Sequence, residues 1–402
     1  MNYKFLSELI AKPTSGEWGQ DGDKIPVIRS TNFTMDGILD LSNVKCRDID
    51  DSKITKKKLQ RGDILIEKSG GSLDQPVGRV VFFDEDGDFL FSNFTSALRP
   101  KKSKVFPKYL NYILLSAYKG NITSYFQNRT TGIINLQLTR YVNELQIPLP
   151  PLPTQRKIAE VLDKADAIRK RSQKILVKYD QLAQSVFLEM FGDPVKNEKG
   201  WEVKKLSEFG KITSGSTPSR EIESYYNGNI PWVKTGEVNG KVIKSTFESI
   251  TQEGLAHSSC RLYPKQSILI AMYGQGKTRG QVGILGIEAT TNQACAVIPP
   301  SNKINSKFLF DQLKYRYADL RSLARGGNQA NLNCGLIKDY KVIFPPIIQQ
   351  EKFATIITQI ETQKAQTQLE LDRAEELYHS LLQRAFTGAL FPETIHQELT
   401  HT

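Results

Sequence analysis

Two long stretches of the chain place apolar residues at alternating steps of four and three, the spacing of a heptad seam on an α-helix. They run from Gln155 to Met190 and from Gln350 to Phe386, contain no internal proline, and each follows a diproline that suits a helix entry. The residues predicted to pack in these seams are Ile158, Leu162, Leu176, Tyr179, Val186, Phe353, Ile357, Ile360, Leu371, Tyr378 and Leu381. Each helix is expected to be roughly 55 Å long.

The first of these stretches also carries a second apolar seam, which widens its predicted buried face. This seam includes Val161, Ile168, Ile175 and Leu182. Small or polar residues interrupt the main seam of both stretches near the middle. Glycines at 192 and 388 mark the expected helix ends, because glycine readily adopts the left-handed conformation that stops a helix.

The two helical stretches belong to an internal repeat that covers most of the chain. LPPLPTQRKIAEVL at 149–162 corresponds to FPPIIQQEKFATII at 344–357, with a fixed offset of 195 and no gap over about 42 residues. Earlier segments correspond more loosely, as IPVIRS does to IPWVKT, PVGRV to QVGIL and INLQL to ANLNC. The predicted organisation is a first domain at 1–150, a first helix at 151–195, a second domain at 196–346, and a second helix with a tail at 347–402.

Both blocks have the pattern of mixed α/β domains, with short apolar strands separated by turns. Strands are predicted at 63–67, 78–83, 89–93, 267–272, 281–285 and 294–298, and one helix per block at 107–119 and 306–323. The predicted fold class is α+β, a mixed α/β chain in which two similar globular domains are separated by two long helices packed as an antiparallel coiled coil. The alternative is that each helix buries its apolar stripe on its own domain.

The net charge of +11 is unevenly distributed. Residues 196–346 hold 21 basic and 12 acidic side chains, whereas 347–402 hold 4 basic and 8 acidic ones. A basic surplus in the blocks favours a polyanionic partner, although many solvated basic proteins bind no nucleic acid. Hydrophobic residues make up 39% of the chain and charged residues 24%, which is typical of a globular protein and argues against disorder.

The sequence lacks the usual signatures of catalysis, metal binding and membrane insertion. No histidine precedes His257, and the four cysteines are scattered without metal-ligand spacing. No apolar run reaches the roughly 18 residues that span a bilayer, and the N-terminus does not resemble a signal peptide. These features predict a cytoplasmic chain that binds no metal or cofactor itself and does not contact a membrane.

One segment resembles a phosphate-binding P-loop. It runs from Ala271 to Thr278 and ends in Gly-Lys-Thr after a predicted strand. A true P-loop opens a helix, but here a second strand with two glycines follows. A β-hairpin loop is therefore the preferred interpretation, with nucleotide hydrolysis through Lys277 kept as an alternative.

Polar and cationic side chains cluster in two loops of each block, and their types suit DNA. Arginine reads guanine, asparagine and glutamine read adenine, and lysine holds phosphate. The predicted DNA-contacting residues are Lys68, Ser69, Gln75, Arg79, Arg129 and Gln137 in the first block, and Tyr273, Gln275, Lys277, Arg279, Arg325, Gln329 and Asn331 in the second. Ordinary polar turns would show similar compositions, and this alternative remains open.

The order of these motifs resembles the specificity (S) subunit of type I restriction–modification systems, in the form with two target-recognition domains. The motifs are IPWVKTGEVN at 230–239, SILIAMYGQG with RGQVG at 267–283, GGNQANLN at 326–333, and the two proline-led helix starts. The resemblance covers nearly the whole chain and depends most on the duplicated order. It implies that each block reads half of a split double-stranded DNA sequence, while the helices act as spacer and docking surface.

The resemblance also implies partners. Methyltransferase (M) subunits would bind S-adenosylmethionine and methylate adenine, and restriction (R) subunits would use ATP and Mg²⁺, so this chain would be a non-catalytic specificity subunit. The two blocks differ in their loops, for example Val27-Ile-Arg-Ser against Trp232-Val-Lys-Thr, which predicts an asymmetric target. Alternatives are a stand-alone DNA-binding adaptor or repressor without methyltransferase partners, a nuclease, and a coiled-coil scaffold for proteins.

Overall fold

The computed structural model describes residues 2–72, 74–130, 133–274, 276–324 and 331–390, with the side chains of Arg129 and Thr130 left out. The chain divides into two compact units. Unit 1 comprises Met1–Lys174 and Gln368–Thr402, and unit 2 comprises Ile175–Thr367. Each long helix contributes to both units, whereas the predicted boundaries at 150, 195 and 346 place each helix in a segment of its own; those boundaries remain predictions.

Unit 1 is built from small sheets and short helices, together with part of each long helix. Its strands are β1 (Tyr3–Phe5), β2 (Thr14–Ser15), β3 (Gln20–Ile28), β4 (Lys45–Asp48), β5 (Ile64–Glu67), β6 (Ser69–Gly71), β7 (Val80–Phe82), β8 (Leu90–Phe91), β9 (Thr95–Leu98), β10 (Gln127–Thr130), β11 (Ile133–Leu136) and β12 (Gln146–Pro148). Its helices are α1 (Leu6–Leu9), α2 (Asp51–Lys57), α3 (Pro107–Lys119), α4 (Leu138–Glu144) and the beginning of α5 (Leu152–Phe191). The sheet orders are β2-β9-β5-β7, β4-β3-β8, β10-β11-β6 and β1-β12.

Unit 2 repeats this plan. Its strands are β13 (Val203–Lys205), β14 (Thr213–Ser214), β15 (Tyr226–Val233), β16 (Val242–Ile243), β17 (Glu248–Ile250), β18 (Ile268–Ala271), β19 (Val282–Leu285), β20 (Thr290–Thr291), β21 (Cys295–Ile298) and β22 (Lys341–Ile343). Its helices are α6 (Gln252–Ala256), α7 (Ser306–Tyr315), α8 (Tyr317–Ser322), α9 (Cys334–Asp339) and the beginning of α10 (Ile347–Phe386). The sheet orders are β14-β21-β18-β19-β16, β17-β15-β20 and β13-β22.

The short elements agree with the sequence except at one helix. All six predicted strands are present, each within its predicted range, and α3 has the predicted bounds. The helix predicted over 306–323 is instead two helices, α7 and α8, which meet at Arg316. The backbone of Arg316 has a ψ of 22° and its guanidinium donates to the carbonyl of Lys341, so this residue leaves the helical path. The mixed α/β fold class is confirmed.

The two long helices pack against each other in each unit, in opposite chain directions. In unit 1 the core combines Ile158 and Leu162 of α5 with Tyr378 and Leu382 of α10. In unit 2 the later part of α5 meets the earlier part of α10, where the ring centroids of Phe187 and Phe353 lie 5.5 Å apart. The early part of one helix thus pairs with the late part of the other, as the predicted antiparallel arrangement requires.

The α10 seam follows the predicted heptad as far as Tyr378, after which Leu382 is buried and the predicted Leu381 is only half-buried, and the α5 seam drifts earlier. Leu176, Tyr179 and Val186 are only half-buried, while Phe187 and Phe191, one position further on, are fully buried. A straight helix has 3.6 residues per turn, so a strict heptad rotates by about 20° per repeat and four repeats shift the buried face by nearly one residue. The second seam was wrong at Ile168 and Leu182, which are 55% and 47% exposed, whereas Val161 and Ile175 are half-buried.

The polar residues in the middle of the seam are accounted for by ion pairs within each unit. Arg169 of α5 is buried in unit 1, where it bonds Asp166 at 2.7 Å and lies 4.7 Å from the ring centroid of Tyr378. Lys364 of α10 occupies the corresponding position of the repeat and pairs with Asp180 in unit 2. The seam therefore buries or half-buries two cations, each of which has a carboxylate partner.

A buried glutamine closes each proline-led helix start, and it does so identically in both units. Gln155 accepts the N–H of Phe106, the residue that caps α3, at 2.8 Å, and donates to the carbonyl of Pro150 at 2.7 Å. Gln350 accepts the N–H of Asn305, which caps α7, at 2.9 Å, and donates to Pro345 at 2.7 Å. This amide ties the start of each long helix to the start of the helix inside its block.

We expect Gln155→Ala to lower the free energy of unfolding of unit 1 by about 2 kcal/mol, because it leaves a buried N–H and a buried carbonyl without a partner. Gln350→Ala should do the same to unit 2. Hydrogen–deuterium exchange along a urea series measures the two units separately. Gln359→Ala, on an exposed face of α10, is the matched control. Equal destabilisation of both units by either variant would contradict this local role.

Candidate nucleic-acid interface

In unit 1 the two predicted DNA loops lie side by side, because three strands bring them together. Strand β11 pairs with β10 on one side and with β6 on the other, where Asn135 lies opposite Ser69. The Ser69 hydroxyl hydrogen-bonds the Asn135 side chain, and the Gln137 amide donates to Asn128. Ser69 and Gln137, which are far apart in sequence, thus belong to one small polar surface.

Lys68 begins this surface and is half-buried. Its ammonium group donates to the Ser15 hydroxyl at 2.9 Å. Burial and, secondarily, the charge of Lys57 lower the pKa of Lys68 below its ordinary value. Gln75 lies further along the same loop, exposed, with its amide 3.8 Å from the Met35 sulfur.

The structure contradicts the prediction that Arg79 contacts DNA. Arg79 is only 6% exposed and forms a bidentate ion pair with Glu67, at 2.8 and 2.9 Å. Its Nη1 also bonds the carbonyl of Phe33 and its Nη2 that of Ser30, so all three guanidinium nitrogens are engaged within unit 1. A sequence pattern cannot distinguish an arginine aimed at phosphate from one that satisfies a buried carboxylate, and here the second holds.

In unit 2 the loop between β18 and β19 is supported by helix α8. The Tyr317 hydroxyl donates to the carbonyl of Lys277 at 2.7 Å, and Arg321 donates to the carbonyl of Arg279 at 3.0 Å. The side chains of Tyr273 and Lys277 are exposed, and that of Arg279 is half-buried. Since β19 pairs antiparallel with β18, Lys277 lies in a hairpin loop and does not begin a helix. The segment is therefore the predicted β-hairpin loop and does not have the structure of a P-loop.

The two loops also meet in unit 2, through a hydrogen bond that unit 1 repeats. The N–H of Leu332 donates to the carbonyl of Met272 at 3.0 Å, and the N–H of Leu136 donates to that of Lys68 at 2.8 Å. Asn331, half-buried, precedes Leu332 and so lies at this junction. Gln275, Arg325 and Gln329 lie outside the described residues, as does the side chain of Arg129.

Matched hydrogen bonds correct one detail of the repeat alignment. Glu67 and Arg79 are joined through their backbones as Ala271 and Gln281 are, and Gly78 corresponds in the same way to Gly280. PVGRV therefore aligns with TRGQV at 278–282 and not with QVGIL. The buried Glu67–Arg79 ion pair of unit 1 thus has alanine and glutamine at the equivalent positions of unit 2.

Two further polar features adjoin these loops and were missed in the sequence. In unit 2, Thr217 hydrogen-bonds Gln293, just before the strand that pairs with the end of β18. In unit 1, the segment 30–40 contacts Gln75 through Met35. Thr217 and Gln293 have side-chain types that the DNA prediction sought, whereas Met35 is apolar and the segment 30–40 contains no cation.

The described residues contain neither a metal-binding group nor a membrane-spanning helix. Among them, no three histidine, cysteine, aspartate or glutamate side chains are grouped as a metal ion would need. Across the same ranges, no helix combines the length and hydropathy of a bilayer crossing. What the loops of both units offer is a set of hydroxyl, amide and cationic side chains at adjoining strand ends, which suits contacts with base edges and phosphates.

A family model described as "Type I restriction modification DNA specificity domain" matches residues 13–177 and 198–376. The HindI specificity subunit of Haemophilus influenzae is 23% identical in an alignment 431 positions long, and this alignment covers 87% of this chain and 90% of that protein. The putative MjaX specificity subunit of Methanocaldococcus jannaschii is 22% identical over 410 residues, with 97% and 93% coverage. The match to the MjaIX specificity subunit of the same organism, 28% identical, spans only 44% of that protein and 46% of this chain.

Solved structures agree on the fold. The S subunit of a type I restriction–modification system from M. genitalium has a TM-score of 0.61 at 16% identity, and the match covers 96% of both chains. A chain from a study of complex assembly and conformational transition of the type I R-M system has a TM-score of 0.53 at 15% identity, with 97% and 98% coverage. At these identities the likeness establishes the architecture and leaves individual contacts to the present structure.

Proposed function

Because the chain belongs to the type I restriction–modification DNA specificity family, we propose that it reads a two-part, asymmetric sequence in double-stranded DNA and directs methyltransferase and restriction subunits to it. The observation that carries this proposal is the repeat itself. The same strand framework presents two adjoining loops in each unit, yet the side chains in those loops differ. Equivalent frameworks with unlike loops suit a protein that reads two unlike half-sites.

Electrostatics supports DNA as the ligand. The block at 196–346 has a surplus of nine basic residues, and Lys277 is exposed in a loop whose backbone is held by Tyr317. A cation on a supported loop can engage phosphate without ordering the loop at the moment of binding, which lowers the entropic cost. Tyr273 and Asn331 then lie within the same loop pair, where they would contact base edges.

The partner subunits would dock on the long helices. Ile168 on the unit 1 part of α5, and Val177 and Leu182 on its unit 2 part, expose 47–57% of their surface although they are large and apolar. Such side chains favour contact with another protein over contact with DNA. In this proposal the chain itself is non-catalytic and binds no cofactor, while S-adenosylmethionine, ATP and Mg²⁺ are used by the M and R subunits.

The proposal is tested by expressing the chain with a methyltransferase subunit of a type I system, in a host without adenine methylation. Single-molecule sequencing of the host DNA should reveal methylated adenines in one two-part motif, and none when either chain is omitted. A specific DNA affinity of the chain alone, unchanged by the methyltransferase and without methylation, would instead support a stand-alone adaptor or repressor. Hydrolysis that depends on Lys277 and needs no partner would support an enzyme.

Lys277→Ala is expected to weaken binding of the assembled complex to all DNA sequences alike. The slope of log affinity against log salt concentration should fall by about 1, because one fewer phosphate is neutralised. Lys265→Ala is the matched control, since Lys265 is exposed at the opposite end of β18. An equal loss of salt dependence in both variants would show that the loop has no special role.

A further inference from the structure

The segment 30–40 of unit 1, between β3 and β4, carries an exposed apolar side chain next to a predicted DNA-contacting residue. Met35 is 49% exposed, and its sulfur lies 3.8 Å from the Gln75 amide and 3.9 Å from the Tyr118 hydroxyl. Tyr118 also donates to the carbonyl of Pro76, in the same loop as Gln75. Met35 is therefore part of the surface that the Lys68–Gln75 loop presents.

Two arginines hold this segment from opposite ends. Arg79, itself held by Glu67, donates to the carbonyls of Phe33 at 2.7 Å and Ser30 at 3.1 Å. Arg169 of α5 pairs with Asp36 at 3.1 Å, immediately after Met35. Both guanidinium groups are buried, so the segment is fastened to the strand framework by one and to the long helix by the other.

Charge neutralisation makes the segment compatible with DNA. Asp36 would repel phosphate, but Lys119 bonds the same carboxylate oxygen at 2.8 Å and Arg169 adds a second cation. Burial opposes ionisation of Asp36, yet the hydrogen bond from Lys119 and the charge of Arg169 keep its pKa below the ordinary value. With the acid next to it neutralised, the Met35 thioether forms an apolar tip, and the second acid of the segment, Asp40, lies five residues further on and accepts the N–H of Ser42 at 2.9 Å.

This arrangement belongs to unit 1 alone, which argues that the fold does not require it. Ala271 and Gln281 replace Glu67 and Arg79 in unit 2, and Lys364 stands at the position of Arg169. Unit 2 keeps the same strand framework without these two arginines. The contacts of Arg79 and Arg169 with segment 30–40 are therefore features that distinguish unit 1 from unit 2.

We propose that segment 30–40 is a third DNA-contacting element of unit 1, in which Met35 makes an apolar contact with a thymine methyl group. Arg79 and Arg169 are positioning residues that hold Met35 against the Gln75 loop. This proposal rests on the proposed DNA-reading function. The C5-methyl group of thymine is an apolar group exposed in the major groove, and the flexible methionine side chain can pack against it.

The experiment uses the complete complex with its methyltransferase and a duplex carrying the established target. Each thymine of the two half-sites is replaced in turn by deoxyuridine, which lacks only the methyl group. In the unmodified complex one such replacement, in the half-site read by unit 1, should lower affinity about fourfold, the effect of losing one methyl-sized apolar contact. Met35→Ala should abolish that sensitivity and leave every other position unchanged.

The positioning residues are tested by variants that imitate unit 2. Glu67→Ala with Arg79→Gln removes both charges of the buried pair together, and Arg169→Lys installs the residue of the repeat. Both should reduce the same deoxyuridine sensitivity at least twofold while the unit 2 half-site is read as before. Arg61→Gln is the control. Arg61 is also ion-paired in unit 1, but it lies just before the start of β5, whereas Glu67 is at the end of that strand.

Retention of all deoxyuridine effects in Met35→Ala, a surface change that spares the core, would overturn the proposal. So would loss of discrimination at both half-sites in the Arg79 or Arg169 variants, since that would indicate a general structural defect. If the unmodified complex preferred no two-part sequence at all, the DNA-reading function itself would fail. The outcomes for the two proposals are thus distinguishable.

Discussion

Exchanging residues 196–346 for the corresponding block of another specificity subunit is expected to change one half of the DNA target completely and to leave the other half unaltered. The physical reason is that the loops of unit 2 are anchored inside that block. Tyr317 and Arg321 hold the β18–β19 loop, and the Leu332–Met272 hydrogen bond joins it to the neighbouring loop. Methylome sequencing of the host reports both half-sites in one measurement.

The exchanged block must keep one set of packing contacts to fold. The Phe308 ring of α7 packs edge to face with Phe191 and Phe353, at centroid distances of 4.8 and 6.2 Å, so the incoming block needs an aromatic residue there. The reciprocal exchange of 1–150 is the control, and it should alter only the opposite half-site. A single exchange that rewrote both half-sites would show that base contacts are shared between blocks.

Lengthening both long helices by seven residues is expected to widen the permitted gap between the half-sites while leaving both half-sites unchanged. Insertions after Lys174 and after Thr367 coincide with the division between the two units on each helix. Seven residues preserve the heptad seam and add about 10 Å of helix, which corresponds to roughly three base pairs of B-DNA. The methylated motif measures the gap directly.

A variant of unchanged length separates spacing from surface effects. Replacing Gln173 and Lys174 by alanine alters the same stretch of α5 without lengthening it, and it should leave the gap as it was. Altered half-sites with an unaltered gap in the lengthened chain would reject the idea that helices set spacing while loops set sequence. Four-residue insertions, which break the seam register, should instead impair assembly.

The sequence alone was sufficient for the features that depend on periodicity and duplication. The apolar repeat located both long helices to within three residues at their starts, and the glycines marked their ends correctly, since Gly192 and Gly388 have φ values of 75° and 74°. These signals are local or internal to the chain, and burying an apolar stripe leaves few other solutions.

Register and competition between stripes were decided only by packing. Two neighbouring seams on α5 have similar composition, and the sequence does not tell which one faces a partner helix; Ile168 and Leu182 lie on the side that stays exposed. The alignment of the strands of the two units likewise followed from their backbone hydrogen bonds, which show that Arg79 in unit 1 is equivalent to Gln281 in unit 2. Two glycine-containing strands with similar patterns can be aligned in more than one register when only their sequences are compared.

What each cation does was decided by the tertiary structure. Arg79 and Lys277 both lie near glycines in strand–loop–strand segments, yet one is buried against Glu67 and the other is exposed. Duplication and periodicity thus determined that the chain consists of two similar blocks and two long helices. Long-range contacts determined which cations are buried in ion pairs and which are exposed, because the partner of a charged group is a matter of distance in three dimensions and not of position along the chain.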